Sequence, residues 1–154
     1  MTRSEKVIRP LPLSVRKRVG PQKKNGLAAV EVVTDRPTVM DFDFPHFTHI
    51  CAFTYEPGFA RVRIRYLPDQ LMLEVKNLQK YLWHFRGVKV FGEEAAGIIL
   101  TDLVEAIDPV WMQVLVESPV RALVLSKALV EHSDQNRVVD YGVGHLLERY
   151  RFVL

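Results

Sequence analysis

The stretch Phe59–Leu67, FARVRIRYL, has the most regular alternation of apolar and charged side chains in this sequence. One face carries Ala60, Val62, Ile64 and Tyr66, and the opposite face carries Arg61, Arg63 and Arg65. A period of two predicts a β-strand with one face buried and the other in solvent. The arginine face has two interpretations: a grip for a phosphate-bearing ligand, or a solvated face that keeps a sheet edge from aggregating.

Two more strands are predicted before this one. Leu27–Val33 is apolar and partly β-branched, which favours a strand. Val39–Phe44 places acids on one face and Met and Phe side chains on the other, again with a period of two. Pro45 is expected to end this second strand and to begin the connection to Cys51.

Two helices are predicted after it. Apolar residues recur at steps of four and three from Leu71 onwards, which is one face of a helix that ends near Gly87. The second helix runs from about Gly92 to Ile107 and stops at Asp108-Pro109. Acids in its first turn suit the positive end of the helix dipole.

The C-terminal part has weaker signals. We expect a strand over Trp111–Glu117, a turn at Pro119, and a strand that becomes irregular within Val120–Val130. A polar loop over Ser133–Asn136 and a short terminal helix over Val143–Phe152 complete the chain. The middle of the sequence therefore has the order strand, strand, helix, helix, strand, strand, which predicts an α+β fold with antiparallel strands.

The totals are those of one ordinary globular domain. The sequence has 154 residues, of which 48% are hydrophobic and 25% charged. No apolar run approaches the roughly 18 residues of a membrane span, so we expect neither a membrane anchor nor a signal peptide. A single cysteine excludes an internal disulfide and makes a reducing cytoplasm the expected location.

The positive charge is concentrated at one end. Residues 1–25 contain eight Lys or Arg and one acid, which leaves residues 26–154 with a net charge of −4. We predict a basic, poorly ordered arm over 1–25 and a single domain over 26–154. The arm is either a solvated, mobile segment or a weak contact for RNA.

Cys51 is the one cysteine, and it follows a proline turn just before a strand. A single cysteine is most often a small buried hydrophobe, but functional groups tend to lie on connecting chain. As a nucleophile it needs thiolate character from a nearby cation, base or helix N-terminus. His46, His49 and Cys51 match no standard zinc spacing, and no metal site is predicted.

Several motifs between Asp41 and Glu117 follow one another in the order found in one family. They are Phe47-Thr48-x-x-Cys51, Pro57-x-Phe59-Ala60, Tyr66-x-Pro68-Asp69, Glu74-x-Lys76-x-Leu78-x-x-Tyr81-Leu82-x-x-Phe85-Arg86, Phe91-x-Glu93, Ile98-Ile99, Asp102-Leu103 and Asp108-Pro109. On these motifs the chain resembles the NADPH-dependent 7-cyano-7-deazaguanine reductases, the nitrile reductases of queuosine biosynthesis. The resemblance implies a tunnelling fold, with antiparallel strands and two helices per subunit, closed into a barrel by homo-oligomerisation.

The resemblance also implies roles for individual residues. Cys51 stands where the family's nucleophile adds to the nitrile carbon and forms a covalent thioimide, which hydrides from NADPH then reduce. Glu93, with Phe91 in the same motif, stands where the family holds the purine-like base. The cofactor-binding motif contains Glu74, Lys76 and Tyr81, with Lys80 beside them, and the cofactor phosphates need a nearby cation.

The departures from the family pattern concern proton transfer. Gly58 stands where the family has an aspartate as acid–base partner, and Gly92 where it has a histidine thought to supply a proton. Gln79 replaces a lysine, and residues 118–121 replace a Pro-Arg-Gly-Gly segment. A glycine cannot transfer a proton, and general acid–base help is worth about 10²–10⁴-fold.

Three functions remain open at this point. The protein is a reductase that uses other proton donors, such as His49, Glu56 or water. Alternatively, its thioimide passes to ammonia, as in the related archaeosine-type amidinotransferases, although those keep the aspartate and Gly58 counts against this choice. The third function is a deazapurine-binding subunit without catalysis.

Overall fold

The computed structural model describes residues 22–24, 26–32, 34–121 and 124–154. Along the chain its elements are β1 (Gln22–Lys24), β2 (Leu27–Glu31), β3 (Met40–Ile50), β4 (Pro57–Leu67), β5 (Leu71–Leu73), α1 (Val75–His84), a 3-10 turn (Phe85–Gly87), α2 (Gly92–Ile107), β6 (Trp111–Arg121), β7 (Val124–Ser133), α3 (Gln135–Asp140) and α4 (Gly144–Tyr150). The predicted order of strands and helices in the middle of the chain is confirmed.

The strands form two antiparallel sheets. One has the order β3-β4-β6-β7, and the smaller one has the order β1-β2-β5. The predicted α+β class with antiparallel strands is therefore confirmed. Within the described residues, β3 and β7 are the outer strands of the larger sheet.

The core lies between the larger sheet and the two long helices. The apolar face predicted for β4 is buried, with Ala60, Val62, Ile64 and Tyr66 at most 5% exposed. Ile99 and Leu103 of α2 pack in the same cluster. The α2 bounds agree with the sequence prediction, and Asp108 ends the helix in the left-handed conformation (φ +45°).

The arginine face of β4 is balanced by acids of the neighbouring strand. Arg61 donates from Nε to Asp43 at 2.8 Å, and Arg65 donates to Asp41 at 2.8 Å. The hydrogen bond from Arg61 holds the pKa of Asp43 below its ordinary value. The Arg65 guanidinium also lies 4.2 Å from the centre of the Phe152 ring. Arg61 and Arg65 are thus paired with acids within the sheet, which favours a solvated face over a phosphate site. The expected role at a sheet edge was wrong, because β4 lies between β3 and β6.

The proline expected to end β3 lies inside it. Strand β3 runs on to Ile50, and the register shifts between Phe44 and Phe47, on either side of Pro45. An outer strand tolerates a proline at a bulge because no ladder hydrogen bond is lost there. The prediction that the strand ends at Pro45 was wrong.

The first helix is shorter than the apolar spacing suggested. Leu71 lies in β5, which pairs with β2, and α1 begins only at Val75. The backbone N–H of Leu73 donates to the buried Tyr66 hydroxyl at 3.0 Å, which fastens this short strand to β4. Burial raises the pKa of Tyr66 to about 12.

The C-terminal part differs most from its prediction. Pro119 lies within β6 rather than in a turn, and the expected irregular chain before residue 130 is part of β7. The expected polar loop holds the start of α3, which Asp134 caps by accepting from the N–H of Arg137 at 3.1 Å. The predicted terminal helix is present as α4. A second cluster around the fully buried Trp111 holds these helices against β6.

The predicted basic arm lies largely outside the described residues. Its last part, Gln22–Lys24, forms β1 and pairs with β2. The rest of the arm stays a prediction. Among the described residues, no helix is long and apolar enough to cross a membrane.

Candidate active site

A cavity of about 230 Å³ opens where the end of β3, the start of β4 and the start of α2 meet. Strands β6 and β7 contribute Ser118 and Ser126 to its wall. The other chemically relevant residues that line it are His49, Cys51, Gly58, Phe91, Gly92 and Glu93. The structure thus brings together the predicted nucleophile and both predicted substrate-binding residues.

Cys51 is the residue directly after β3 and is half-buried. Its backbone N–H donates to the Glu56 carbonyl at 2.8 Å, and its carbonyl accepts from the N–H of Tyr55 at 2.9 Å. Tyr55 adopts a left-handed conformation (φ +59°) inside this tight turn. The turn fixes the backbone of Cys51 at the edge of the cavity.

The segment before α2 is fastened to the end of β3. The N–H of Ile50 donates to the Val88 carbonyl, and the N–H of Val90 donates to the Ile50 carbonyl, both at 3.0 Å. This short parallel bridge brings the first turn of α2 beside Cys51. The arrangement explains why residues about 40 positions apart in the sequence share one wall.

Glu93 lies in the first turn of α2 and is exposed to the cavity. Its Oε1 accepts a hydrogen bond from the Ser126 hydroxyl at 2.7 Å. This bond, with a smaller contribution from the backbone N–H of Glu93 itself, holds the pKa of Glu93 below its ordinary value. Glu93 is therefore a carboxylate with a second oxygen available to ring N–H groups of a heterocycle.

His49 occupies the space between two glycines. Its ring is 6% exposed, and Nδ1 lies 2.7 Å from the Val90 carbonyl. A β-carbon at Gly58 would lie 2.4 Å from Nε2, and one at Gly92 would lie 3.9 Å from Nε2. His49 and Gly58 are directly opposite each other in the β3–β4 ladder. The sequence named His49 as one of several proton donors but did not place it between the two glycines.

Two of the predicted cofactor residues make contacts within the fold. Glu74 caps α1 by accepting from the N–H groups of Lys76 and Asn77, both at 2.9 Å. These bonds hold the pKa of Glu74 below its ordinary value. Tyr81 donates its hydroxyl to Asp102 of α2 at 2.6 Å, and burial followed by this bond raises its pKa. Both side chains therefore have a structural role in this subunit.

The other two predicted cofactor residues are open to solvent. Lys76 and Lys80 are exposed on α1, one helical turn apart. Val75 and Gln79 of the same helix line a second cavity of about 240 Å³ against β3. Each lysine directly follows one of these lining residues in the sequence. A nicotinamide dinucleotide needs cations for its phosphates and an apolar surface for its ring. The Arg86 guanidinium stacks on Trp83 near the end of α1, 4.9 Å from the ring centre.

The described residues contain no group of three or more His, Cys, Asp or Glu side chains placed to hold a metal ion. His46 is exposed on β3, whereas His49 is buried beside Gly58. The lining of the first cavity includes one thiol, one imidazole, one carboxylate and two serine hydroxyls.

Known proteins resemble this chain in sequence and in fold. The model of the family described as QueF-like protein matches residues 57–137. A relative from Anaeromyxobacter sp. (strain Fw109-5), named NADPH-dependent 7-cyano-7-deazaguanine reductase, is 36% identical over 101 residues, which are 66% of this chain and 83% of the relative. A relative of the same name from Alkalilimnicola ehrlichii is 37% identical over 98 residues, 64% of this chain and 76% of the relative.

A solved structure supports the fold. The crystal structure of the archaeosine synthase QueF-Like in the apo form matches with a TM-score of 0.60 at 20% identity, over 64% of this chain and 97% of that chain. The likeness confirms the tunnelling fold predicted from the motifs. The resemblance in sequence is confirmed as well.

Proposed function

This chain belongs to the QueF-like protein family, and we propose that it reduces the nitrile of 7-cyano-7-deazaguanine to an aminomethyl group with NADPH. The observation that carries the proposal is the cavity shared by Cys51, Phe91 and Glu93. It puts a thiol and a charged hydrogen-bond acceptor on the lining of one space of about 230 Å³. A heterocycle with a nitrile needs the thiol for its nitrile carbon and the carboxylate for its ring N–H groups.

Cys51 is the nucleophile in this proposal. Its sulfur bonds to the nitrile carbon, one C–N π bond breaks, and the thiol proton is transferred to the nitrogen, which gives a thioimide. Attack requires the thiolate, so a proton acceptor has to lie close to the sulfur. The tight turn at Cys51 supports this role because it holds the sulfur at the cavity edge.

Glu93 and Phe91 position the base. The Glu93 carboxylate accepts hydrogen bonds from ring N–H groups, and its low pKa keeps it charged for this purpose. Phe91 is 41% exposed beside it and offers an apolar surface to a flat ring. Together they orient the nitrile towards Cys51.

NADPH supplies the hydrides when it is bound. Lys76 and Lys80 are the residues of α1 whose ammonium groups pair with its phosphates in this proposal. Glu74 and Tyr81 act indirectly, by capping α1 and by fastening it to α2. The four residues therefore divide into two that contact the cofactor and two that position the helix.

The proposal extends to assembly and location. In the part of the chain that the structure describes, β3 and β7 are the outer strands of the larger sheet. This supports a homo-oligomer that closes the sheet into a barrel with sites between subunits. Measuring the mass in solution by light scattering tests this, because a monomer contradicts it. A reactive thiol needs a reducing compartment, and the product belongs to queuosine biosynthesis, so we place the protein in the cytoplasm.

A weak RNA contact by the basic arm is a separate part of the proposal. Residues 1–25 carry eight Lys or Arg, and such a segment attracts phosphates in a salt-dependent way. Removing residues 1–21 keeps β1 intact and should abolish RNA binding at low salt. Unchanged binding after this deletion contradicts an RNA-contacting arm.

The decisive experiment combines intact-protein mass spectrometry with NADPH absorbance. The wild type mixed with 7-cyano-7-deazaguanine should gain the mass of one nitrile, and Cys51→Ala should gain none. Added NADPH should then be oxidised only when the nitrile is present. An adduct that consumes ammonia and no NADPH indicates an amidine-forming enzyme, while binding without any adduct indicates a subunit that does not catalyse.

A further inference from the structure

We infer that His49 is the acid–base residue of this cavity, taking the proton of the Cys51 thiol on Nε2 and returning it to the nitrile nitrogen. The inference rests on the proposed function and assigns its proton transfer. It is needed because Gly58 and Gly92, the cavity residues that β4 and α2 place nearest the imidazole, carry no titratable group.

Geometry places the imidazole on the same side of the chain as the thiol. His49 is the penultimate residue of β3, and Cys51 follows two positions later. Side chains two apart on an extended chain point to the same face, with a separation of about 7 Å along the strand. Both side chains line the same cavity. A separation of this size exceeds a direct hydrogen bond, so one water between the thiol and Nε2 relays the proton.

The glycines make room for the ring. Since a β-carbon at Gly58 would lie 2.4 Å from Nε2 and 2.5 Å from Cε1, no other amino acid fits there while His49 keeps this position. The close approach of a ring to a cross-strand glycine replaces the packing that the glycine lacks. Gly58 therefore has a steric reason to be glycine, independent of any loss of activity.

The hydrogen bond of the other ring nitrogen sets the tautomer. A backbone carbonyl only accepts, so Nδ1 must donate its proton to the Val90 carbonyl, 2.7 Å away. In the neutral imidazole this leaves Nε2 unprotonated. Nε2 is thus ready to accept a proton, and the imidazolium that results is ready to donate it.

The step balances without another reagent. The thiol proton moves to Nε2 while the sulfur bonds to the nitrile carbon and one C–N π bond breaks. The proton then moves from Nε2 to the nitrogen, and the imidazole returns to its starting state. The titratable side chains that line the cavity with His49 are Cys51 at the end of β3 and Glu93 on α2, while β4 and β6 contribute Gly58 and the Ser118 hydroxyl.

The test uses His49→Asn, whose amide nitrogen takes the place of Nδ1 and keeps the donor to Val90 while removing Nε2. Two rates are measured across pH: alkylation of the single cysteine by iodoacetamide, and formation of the 7-cyano-7-deazaguanine adduct. We expect His49→Asn to slow alkylation about tenfold near neutral pH and adduct formation about 100-fold. His46→Asn, the same change on the exposed part of β3, is the matched control and should change neither rate.

A second variant separates chemistry from structure. His49→Ala opens a space in which free imidazole can bind, so added imidazole should restore part of the alkylation rate in this variant and not in the control. If His49→Asn alkylates and forms the adduct at wild-type rates across pH, the inference is overturned. If the wild type forms no nitrile adduct, the proposed function fails, and the alkylation ratio with imidazole rescue still decides whether His49 activates Cys51.

Discussion

The cavity at the start of α2 and the exposed side of α1 are the two halves of one predicted site, and the fold treats their residues in opposite ways. At the cavity, Cys51 and Glu93 face open space. On α1, Glu74 caps the helix and Tyr81 bonds to Asp102, so both side chains bond within the subunit. The difference teaches that a motif residue can be required because it positions the element that carries the functional groups.

The largest effect should come from Glu93→Gln. A carboxylate that accepts from ring N–H groups contributes about 1.5–3 kcal/mol per charged hydrogen bond, so the affinity for 7-cyano-7-deazaguanine should fall about 100-fold. Calorimetry in the Cys51→Ala background measures binding without adduct formation. Unchanged affinity would show that Glu93 does not bind the base, and the contrast between the cavity and α1 would no longer hold.

The next largest effect should come from Gly58→Ala. The added β-carbon meets the His49 ring at 2.4 Å, and such overpacking costs about 1–3 kcal/mol of unfolding free energy. In the His49→Ala background the cost should nearly vanish, which denaturant unfolding of the four proteins would show as a coupling energy. Gly97→Ala in α2, where nothing lies within 4 Å, is the control and should not destabilise.

Tyr81→Phe tests one of the two α1 residues that bond within the subunit. The variant loses the 2.6 Å hydrogen bond to Asp102, and we expect a loss of about 1–2 kcal/mol in unfolding free energy. The KM for NADPH should change little. The opposite pattern, a raised KM with unchanged stability, would return Tyr81 to the cofactor site.

Glu74→Ala should have a smaller effect of the same kind. Loss of the cap leaves the N–H groups of Lys76 and Asn77 without this acceptor, and the thermal midpoint should fall by about 2–4 °C.

Lys76→Ala with Lys80→Ala should instead raise the KM for NADPH and make it less sensitive to salt, at unchanged stability. If Glu74→Ala raises the KM for NADPH as much as the double lysine variant does, Glu74 contacts the cofactor instead of only positioning the helix.

The smallest effect should be a shift in pH dependence. The Ser126 hydroxyl holds the pKa of Glu93 below its ordinary value, so the carboxylate persists and its hydrogen bond stabilises the fold until the pH falls through that lowered pKa. Ser126→Ala should move the acid loss of base binding to higher pH, towards the ordinary range of a glutamate carboxyl. A titration of affinity against pH that is identical in both proteins contradicts this role of Ser126.

Periodicity was sufficient where burial decides the structure. The period of two in β4 and the apolar face of α2 both reflect packing against the same core, and both predictions held. Leu71 continued the helical spacing by coincidence, but pairing with β2 and the Tyr66 hydroxyl holds it in a strand. Such tertiary contacts override local pattern and cannot be read from it.

Prolines were misleading for a related reason. Pro45 lies on an outer strand at a bulge, and Pro119 lies in β6 beyond the last residue that pairs with β4. Neither removes a ladder hydrogen bond, so neither ends its strand.

The helix α3 lacks an apolar period and depends on Arg137, whose guanidinium pairs with Asp69, Asp108 and Asp134.

The site divides in the same way. Cys51 and Glu93 were predicted from motifs, which preserve spacing along the chain, and the structure brings both to one cavity. The place of His49 depends on its cross-strand partner Gly58, and that pairing follows from the register of two strands. The sequence prediction ended the first strand at Pro45 and began the next at Phe59, so it contained neither residue. A strand prediction continued to Ile50 would have placed this histidine opposite the glycine.

The two tryptophans give each region its own optical reporter. Trp111 is fully buried beside the C-terminal helices, whereas Trp83 is 40% exposed at the end of α1. Their emission maxima should therefore lie at different wavelengths, and quenchers in solution should reach Trp83 and not Trp111. A Trp83→Phe protein would have a single tryptophan, whose emission reports loosening of the C-terminal cluster. A Trp111→Phe protein would have a single tryptophan whose emission reports changes at the end of α1.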